Sequence, residues 1–414
     1  MDTSNLKCVI IGASQAGVSC AFALREEGWK GEIRLFDADS KCPYSRPPLS
    51  KGALTGKDNM DDHVLKPLHL YQKENIHLHL GSKVVSLDPI DNQIVLSNQA
   101  VYEFDNLVLA TGARAFVPPI PGIDSVEKVF VLRTQSDAEN IRREVSHSTD
   151  KEVLIIGGGY IGLETASSLS AMGARVTVLE REQRILERVT APVMSAFFMH
   201  LHTRHKVDIK LNKNVVSVDQ EDKCRVVCED GSTYQADIIV VGVGVMVNTE
   251  LAEQAAIKVD NGIWVNSSMQ TSRKNIYAIG DCTRHYNPFY DRYIRLESVQ
   301  NANDQAKIAA ASLCGNKGVY DVLPWFWSDQ YDVKLQIVGL SEGYDNLVVR
   351  HEDGKENAFS VWYFHKEQLL AVDAVNNAKA YMIGAKFIRQ KIGVDKNKLG
   401  DSRIPLKPTN LLKE

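Results

Sequence analysis

Short apolar runs punctuated by glycine dominate the first half of this chain. Leu6-Lys-Cys-Val-Ile-Ile11 reads as a buried strand. Residues 15–27 then place Val18, Phe22 and Ala23 on one face at helical spacing, and Gly28 stops the helix. A second apolar strand, Glu32–Phe36, leads into Asp37-Ala-Asp39. The same order recurs farther on. Glu152-Val-Leu-Ile-Ile156 passes through a glycine-rich turn into a helical run, then into Val176-Thr-Val-Leu179 and Glu180. Strand, tight turn, helix and parallel strand make an α/β chain, and the duplication predicts two such units.

The turns carry the chemistry. Gly12-Ala-Ser14-Gln-Ala16-Gly17 and Gly157-Gly-Gly159-Tyr160-Ile161-Gly162 match the dinucleotide-binding fingerprint. Its first glycine permits the tight turn, its second lets backbone approach a pyrophosphate, and its third lets helix and strand pack closely. The phosphates sit on the helix N-terminus, where free N–H groups and the dipole favour negative charge. Ser14 stands where the first unit's middle glycine belongs, a tolerable exchange because serine is small. Two fingerprints predict two dinucleotides on one protein. In the first unit either Asp37 or Asp39 is placed to hold a ribose hydroxyl. In the second, Glu180 is placed to bond an adenosine 2′-hydroxyl and repel a 2′-phosphate, which favours NADH over NADPH; Arg181 and Arg184, close by, oppose that preference.

The remaining pattern is coarser. Pro43-Tyr-Ser-Arg46-Pro-Pro-Leu-Ser-Lys51 reads as a stiff, extended surface loop presenting two cations, suited to a polyphosphate or flavin. Residues 62–104 read as short strands and turns. Leu107-Val-Leu-Ala-Thr111-Gly112 is a buried strand ending in small residues, and the prolines at 118, 119 and 121 mark a domain boundary. Strands are expected at 207–218, 224–229 and 233–241, with Gly242-Val-Gly244 and Asn248 marking a crossing back. Ile276-Tyr-Ala-Ile-Gly280-Asp281 is a further strand, followed by a helix from Glu297 to Leu313. A β-rich region begins at Pro324-Trp-Phe-Trp, with hairpins at Glu342-Gly and Asp353-Gly, and a helix spans about 377–392.

Composition narrows the class. The 414 residues suggest roughly two to three domains, and 44% apolar content is enough for real cores. A net charge of -4 gives no general case for nucleic acid. The longest apolar candidate, Ile238 to Val247, is interrupted by Gly242 and Gly244, so no membrane span is expected. The N-terminus runs directly into the first strand, and no signal peptide is expected. Seven cysteines without a framework spacing point to a reducing, cytoplasmic setting. No Cys-x-x-Cys redox pair is present, and Cys224 and Cys228 lack the company of ligands a metal site needs.

Over essentially its whole length the chain resembles the FAD-dependent ferredoxin reductases of bacterial oxygenase systems. The resemblance rests on Arg46-Pro-Pro-Leu-Ser-Lys51, Ala110-Thr-Gly112, Gly157 to Glu164, Glu187-Arg-Val-Thr-Ala-Pro192, Ile279-Gly-Asp281, Arg295-Leu-Glu-Ser298 and Trp325-Phe-Trp-Ser-Asp-Gln330. It implies an FAD domain of residues 1–115 and 246–323, an inserted NAD domain of residues 116–245, and a C-terminal α+β domain of residues 324–414 covering the flavin. It implies FAD contacts at Gly12, Ser14, Ala16, Gly17, Asp37 or Asp39, Arg46 and Lys51. Val84 (through its backbone), Thr111, Gly112, Arg133, Gly280, Asp281, Glu297 and Val299 extend that set. NAD(H) contacts are implied at Gly157, Gly159, Tyr160, Ile161, Gly162, Glu164 and Glu180, with Gly244 a further cofactor contact. The family's Gly-Asp after the second strand is Asp37-Ala38 here, so the acid is displaced by one position.

The resemblance also implies a mechanism. Lys51 and Glu164 form a charge pair beside the flavin, Trp327 lies at the flavin edge, and electrons leave singly for an acidic [2Fe–2S] ferredoxin that serves a cytochrome P450 or Rieske-type oxygenase. Arg284, Arg292, Arg295 and Lys307 are candidates for the patch that receives it, with steering that weakens in salt. A monomer or weak dimer is expected. Two other readings compete. An NADH oxidase or peroxide reductase needs a reactive cysteine near the flavin, for which Cys42 is the candidate. A flavin- and NADH-binding signalling protein like the apoptosis-inducing factors needs targeting segments and basic surfaces, which the sequence does not display.

Overall fold

The computed structural model describes residues 2–352, 354 and 357–413. They form two compact units: Met1–Ser45, Met60–Arg114 and Met246–Pro324 in one, and Arg46–Asn59, Ala115–Val245 and Trp325–Glu414 in the other.

The first unit is built on a five-stranded sheet in the order Ile276–Ala278, Asn106–Leu109, Lys7–Ile11, Glu32–Phe36, Ile76–His79. Every pairing in it is parallel. Parallel strands must be covered on both faces, and these are: Val9, Ile10, Ile33, Leu35, Leu107 and Val108 are almost fully buried. The helix Gln15–Glu26 follows the first strand. Gly28, at φ 89°, takes the left-handed conformation that ends it. The helix Val299–Leu313 begins at Ser298, whose hydroxyl accepts from the Asn301 N–H. Asn303 on that helix accepts from Gln15 Nε2 at 2.8 Å and Ser19 Oγ at 2.7 Å, so the two helices are tied at their starts.

The second unit repeats the plan with strands Asp208–Lys210, Arg175–Leu179, Glu152–Ile156, Ile238–Val241 and Val129–Val131, again all parallel. The repetition reaches individual hydrogen bonds. Gly12 N–H donates to Phe36 O at 2.8 Å, and Gly157 N–H to Leu179 O at 2.8 Å. Ala110 N–H donates to Ile11 O, as Gly242 N–H does to Ile156 O, each at 2.8 Å. The same unit holds an antiparallel sheet in the order Trp325–Gln330, Val333–Gly339, Gln368–Val375, Phe359–His365, Asn346–His351, with the helix Ala378–Gln390 packed on it. Asp353, where one hairpin is expected, lies outside the described residues, and the strands on either side of it, Asn346–His351 and Phe359–His365, pair antiparallel. The hairpin expected at Glu342-Gly does not form: Gly343 turns at φ 91°, but the strands it links, Val333–Gly339 and Asn346–His351, are not neighbours in the sheet.

Three further sequence expectations are corrected. Pro47 and Pro48 do not hold an extended backbone: Pro47–Ser50 is a 3₁₀ turn that runs into the helix Gly52–Thr55. Proline's fixed φ suits the first positions of a helical turn, where its missing N–H costs nothing. Nor does the loop lie wholly on the surface, since Leu49 and Ser50 are buried. Residues 62–104 also contain the helix Leu68–Lys73. Two longer helices were not anticipated, Gln135–His147 and Pro192–Arg204. The first had a readable signal, a capping box between Thr134 and Asp137. The second opens on Pro192.

Candidate active site and cofactor-binding turns

In the first unit the expected FAD residues gather at the carboxyl ends of the parallel strands, where open α/β sheets bind ligands. Gly12 follows Lys7–Ile11, Asp37 follows Glu32–Phe36, Thr111 and Gly112 follow Asn106–Leu109, and Gly280 and Asp281 follow Ile276–Ala278. Gly12 sits at φ 107°, and a Cβ there would come within 2.2 Å of Ala110 O. A Cβ on Gly17 would meet Gly12 O at 1.8 Å, so only glycine lets this helix close on its strand. Ser14 occupies the N-cap at φ -95°, an ordinary extended conformation, which is why serine replaces the middle glycine without strain. The helix has no acid in its first turn. A Cβ on Gly280 would come within 3.0 Å of the Ala16 methyl, and Thr111 is pinned by bonds in both directions with Asn248, 2.7 and 2.8 Å. Val84 begins the strand Val84–Asp88, two residues after Ser82, whose N–H donates to Asp37 O at 2.7 Å. Val299 opens its helix, while Glu297 is exposed and paired with Arg295 at 2.6 Å.

The two acids of this unit separate cleanly. The Asp37 carboxylate accepts from Ala13 N–H at 2.5 Å and Asp39 N–H at 2.8 Å, inside the glycine turn. Asp39 turns away to accept from the Tyr44 hydroxyl and Lys41 N–H, both at 3.0 Å. Glu180 does in the second unit what Asp37 does in the first: it accepts from Gly158 N–H at 2.7 Å and Glu182 N–H at 2.8 Å.

The second glycine turn has the same construction. Gly157 stands at φ 110° against Gly242 O, and a Cβ on Gly162 would meet Gly157 O at 2.1 Å. At Gly159 a Cβ would touch nothing, so the space beside this N-cap is open, as a pyrophosphate requires. Both turns therefore fit a dinucleotide. Ile161 is exposed on the first helical turn, whereas the hydroxyl of Tyr160 is buried without a partner. Gly244 follows Ile238–Val241 with positive φ, and its carbonyl accepts from Phe116 N–H. The two arginines that opposed an NADH preference are otherwise engaged. Arg184 donates to Thr190 O, Ser195 Oγ and Glu187 O, each at 2.8 Å, and Arg181 pairs with Glu182 at 2.7 Å.

The expected charge pair is formed. Lys51 Nζ lies 2.5 Å from Glu164 Oε2, and Ser50 Oγ donates to the same oxygen at 2.5 Å. Glu164 is buried and Lys51 is 23% exposed, so one end of the pair can meet a ligand and the other is held. Ser328 Oγ donates to Glu164 Oε1 at 2.6 Å. Arg46 Nη1 donates to Arg133 O at 2.5 Å, which joins two expected cofactor residues at the start of the proline segment. Trp327 lies on the face of its strand opposite Ser328, beside Trp325 at 5.4 Å. The sequence reading missed Ser50 and Ser328 as carboxylate ligands. Ser328 was within the Trp-rich motif, but nothing in its spacing names Glu164 as its partner.

Other candidates fare differently. Of the four proposed docking cations, Arg284 is paired with Asp260 at 2.5 Å and Arg295 with Glu297, which reduces the charge the group offers. Burial pushes the Cys42 thiol above its ordinary value, with Asp61 adding to the effect, the reverse of what a reactive thiolate needs. All seven cysteines are free. Among the described residues one acidic trio has ligand-like spacing, Asp150, Glu152 and Asp237, and Lys223 Nζ occupies it at 2.7, 2.7 and 3.3 Å. No helix among the described residues is long and apolar enough to cross a membrane.

Residues 6–306 match the family model for pyridine nucleotide-disulphide oxidoreductases, and residues 325–410 match that for the reductase C-terminal domain. The chain belongs to the pyridine nucleotide-disulphide oxidoreductase family. It is 42% identical to putidaredoxin reductase of Pseudomonas putida over 98% of this chain and 96% of that one. It is 37% identical to the 5,5'-dehydrodivanillate O-demethylase ferredoxin reductase subunit of a Sphingobium species, over 97% of each. The solved structure of the covalent putidaredoxin reductase–putidaredoxin complex matches with a TM-score of 0.92 at 42% identity, covering 97% of both chains. The fold is that of this oxidoreductase family, two parallel-sheet nucleotide-binding units with a C-terminal antiparallel sheet, and FAD and NAD(H) are the cofactors it implies.

Proposed function

We propose that this protein takes reducing equivalents from NADH through FAD and passes them singly to an acidic [2Fe–2S] ferredoxin that supplies a cytochrome P450 or Rieske-type oxygenase. The observation that carries the reading is the coexistence of two complete glycine turns with a Lys51–Glu164 pair and no redox-active cysteine pair. Full-length similarity to reductases that serve putidaredoxin and an O-demethylase supports the choice of partner. Residues 1–115 and 246–323 are assigned to FAD, 116–245 to NAD(H), and 324–414 to the C-terminal domain. A cytoplasmic monomer or weak dimer fits this assignment.

FAD, when bound, accepts a hydride from nicotinamide and releases its electrons one at a time. The chain's contribution is binding, orientation and electrostatics. Gly12, Ser14, Ala16 and Gly17 offer backbone N–H groups to one pyrophosphate, and Gly157, Gly159 and Gly162 to the other. Asp37, rather than Asp39, holds the FAD ribose, because its carboxylate lies within the turn. Glu180 holds the adenosine ribose of NADH, with Arg184 turned to Thr190, Ser195 and Glu187 and Arg181 paired with Glu182. Lys51 supplies positive charge at the flavin and Glu164 fixes its direction. Trp327, beside Trp325, would be the aromatic residue next to a bound flavin.

Rubredoxin reductases are also similar, one at 39% identity over 90% of this chain, so a rubredoxin is the second candidate acceptor. Steady-state reduction of a panel of [2Fe–2S] ferredoxins and a rubredoxin, with NADH and NADPH compared, tests the reading. Turnover is expected with an acidic [2Fe–2S] ferredoxin and NADH. Turnover with rubredoxin alone would replace the partner, and a preference for NADPH would overturn the role of Glu180.

A further inference from the structure

Glu164 is the end of a buried chain of hydrogen bonds. Ser328 Oγ donates its single proton to Glu164 Oε1 at 2.6 Å. The same oxygen must then be an acceptor, and Gln330 Nε2 donates to it at 3.1 Å. That sets the Gln330 amide, whose Oε1 faces His202 Nε2 at 2.8 Å. Carbonyl oxygen cannot donate, so this imidazole nitrogen carries a proton. The other, Nδ1, faces the Tyr331 hydroxyl at 3.5 Å. Burial pushes the His202 pKa down to about 4, so the ring is neutral in one tautomer at neutral pH.

Every donor in the chain therefore points toward Glu164. Ser328 and Gln330 are 1% exposed and His202 is 0% exposed, so water does not compete. The chain crosses three elements: helix Pro192–Arg204, strand Trp325–Gln330 and helix Tyr160–Ala171. Four polar groups buried in series are costly unless all are satisfied, and a satisfied series specifies one geometry. Its terminus is the carboxylate that holds Lys51.

We propose that Ser328, Gln330 and His202 are a positioning relay that fixes Glu164, and through it Lys51, for the hydride transfer proposed above. The inference rests on that reading for its kinetic consequence and on the hydrogen-bond polarity for its structural one. His202 touches no cofactor in this scheme and acts only through its neighbours.

The test uses FAD-loaded full-length protein with His202→Leu, His202→Gln, Glu164→Ala and the Leu/Ala double variant. Stopped-flow reduction by NADH should show a limiting rate lowered roughly threefold to tenfold in His202→Leu, with half-saturation by NADH unchanged. His202→Gln, which keeps a donor, should recover most of the loss. In the Glu164→Ala background, His202→Leu should cost less than about twofold, because the group it positions is gone. An equal cost in both backgrounds would overturn the relay. A second readout needs no turnover: ¹⁵N spectra of histidine-labelled protein, with His202 assigned from its loss in His202→Gln. They should show a neutral ring protonated on Nε2, with that signal moved by Ser328→Ala. A ring protonated on Nδ1, or a signal that Ser328→Ala leaves in place, would reject the proposal. If wild type is not reduced by NADH, the functional reading fails, and the spectra still decide the relay.

Discussion

At the scale of single residues, hydrogen-bond direction separates candidates that sequence spacing left equal. Asp37 and Asp39 were interchangeable in the sequence, because one displaced position in a turn cannot be resolved without knowing where the backbone N–H groups point. The bonds set the two apart and support the proposed role of Asp37: its carboxylate closes on Ala13, and that of Asp39 on Tyr44. Asp37→Ala should weaken FAD retention by about tenfold or more, as expected when a buried-site hydrogen-bonding group is lost, and Asp39→Ala by less than about threefold. Dialysis against guanidinium followed by flavin fluorescence measures both; a larger loss in Asp39→Ala would reverse the assignment. Lys51 was legible as a loop cation, but its pairing with Glu164 only through the family resemblance. Their sequence separation of more than a hundred residues carries no local signal, and Ser50 and Ser328 were invisible for the same reason.

At the scale of elements, the glycine turns and their strands were readable because their constraint is local: backbone closeness admits glycine and little else. The helices Gln135–His147 and Pro192–Arg204 were not anticipated, since the first is largely polar and the second mixes apolar and polar residues around its circumference. The better clue lay at the termini. Thr134 Oγ1 accepts from Asp137 N–H at 3.2 Å, and Asp137 Oδ2 accepts from Thr134 N–H at 2.7 Å. Thr134→Ala should destabilise the protein by about 1 kcal/mol, read from a denaturant midpoint at unchanged slope. No change in midpoint would mean that neighbouring packing, not the cap, holds this helix.

At the scale of the whole molecule, buried titrating groups set an acid limit on stability. His202 in one unit and His285 in the other are each pushed by burial from an ordinary 6.5 to about 4. The folded rings bind protons more weakly than the unfolded chain does, so each contributes stability above pH 6.5 that is lost as pH falls toward 4, about 3 kcal/mol at most. Asp373 works in the opposite sense. Burial raises its carboxyl from 3.8 to about 6, against the hydrogen bonds from Tyr363 and Thr190, so the folded state gains as pH falls through that window. It offsets one histidine, and a net loss remains. Thermal unfolding between pH 7 and 4.5 should fall less steeply in the His202→Gln/His285→Gln double variant than in wild type; parallel curves would remove the histidines as the cause. The most direct measurement of function is an anaerobic titration of the FAD-loaded protein. NADH should bleach the flavin at one equivalent per FAD, and oxidised [2Fe–2S] ferredoxin should restore the colour at two equivalents, since each cluster takes one electron. A flavin that NADH leaves oxidised, or that the ferredoxin cannot reoxidise once reduced, would contradict a hydride-to-single-electron reductase.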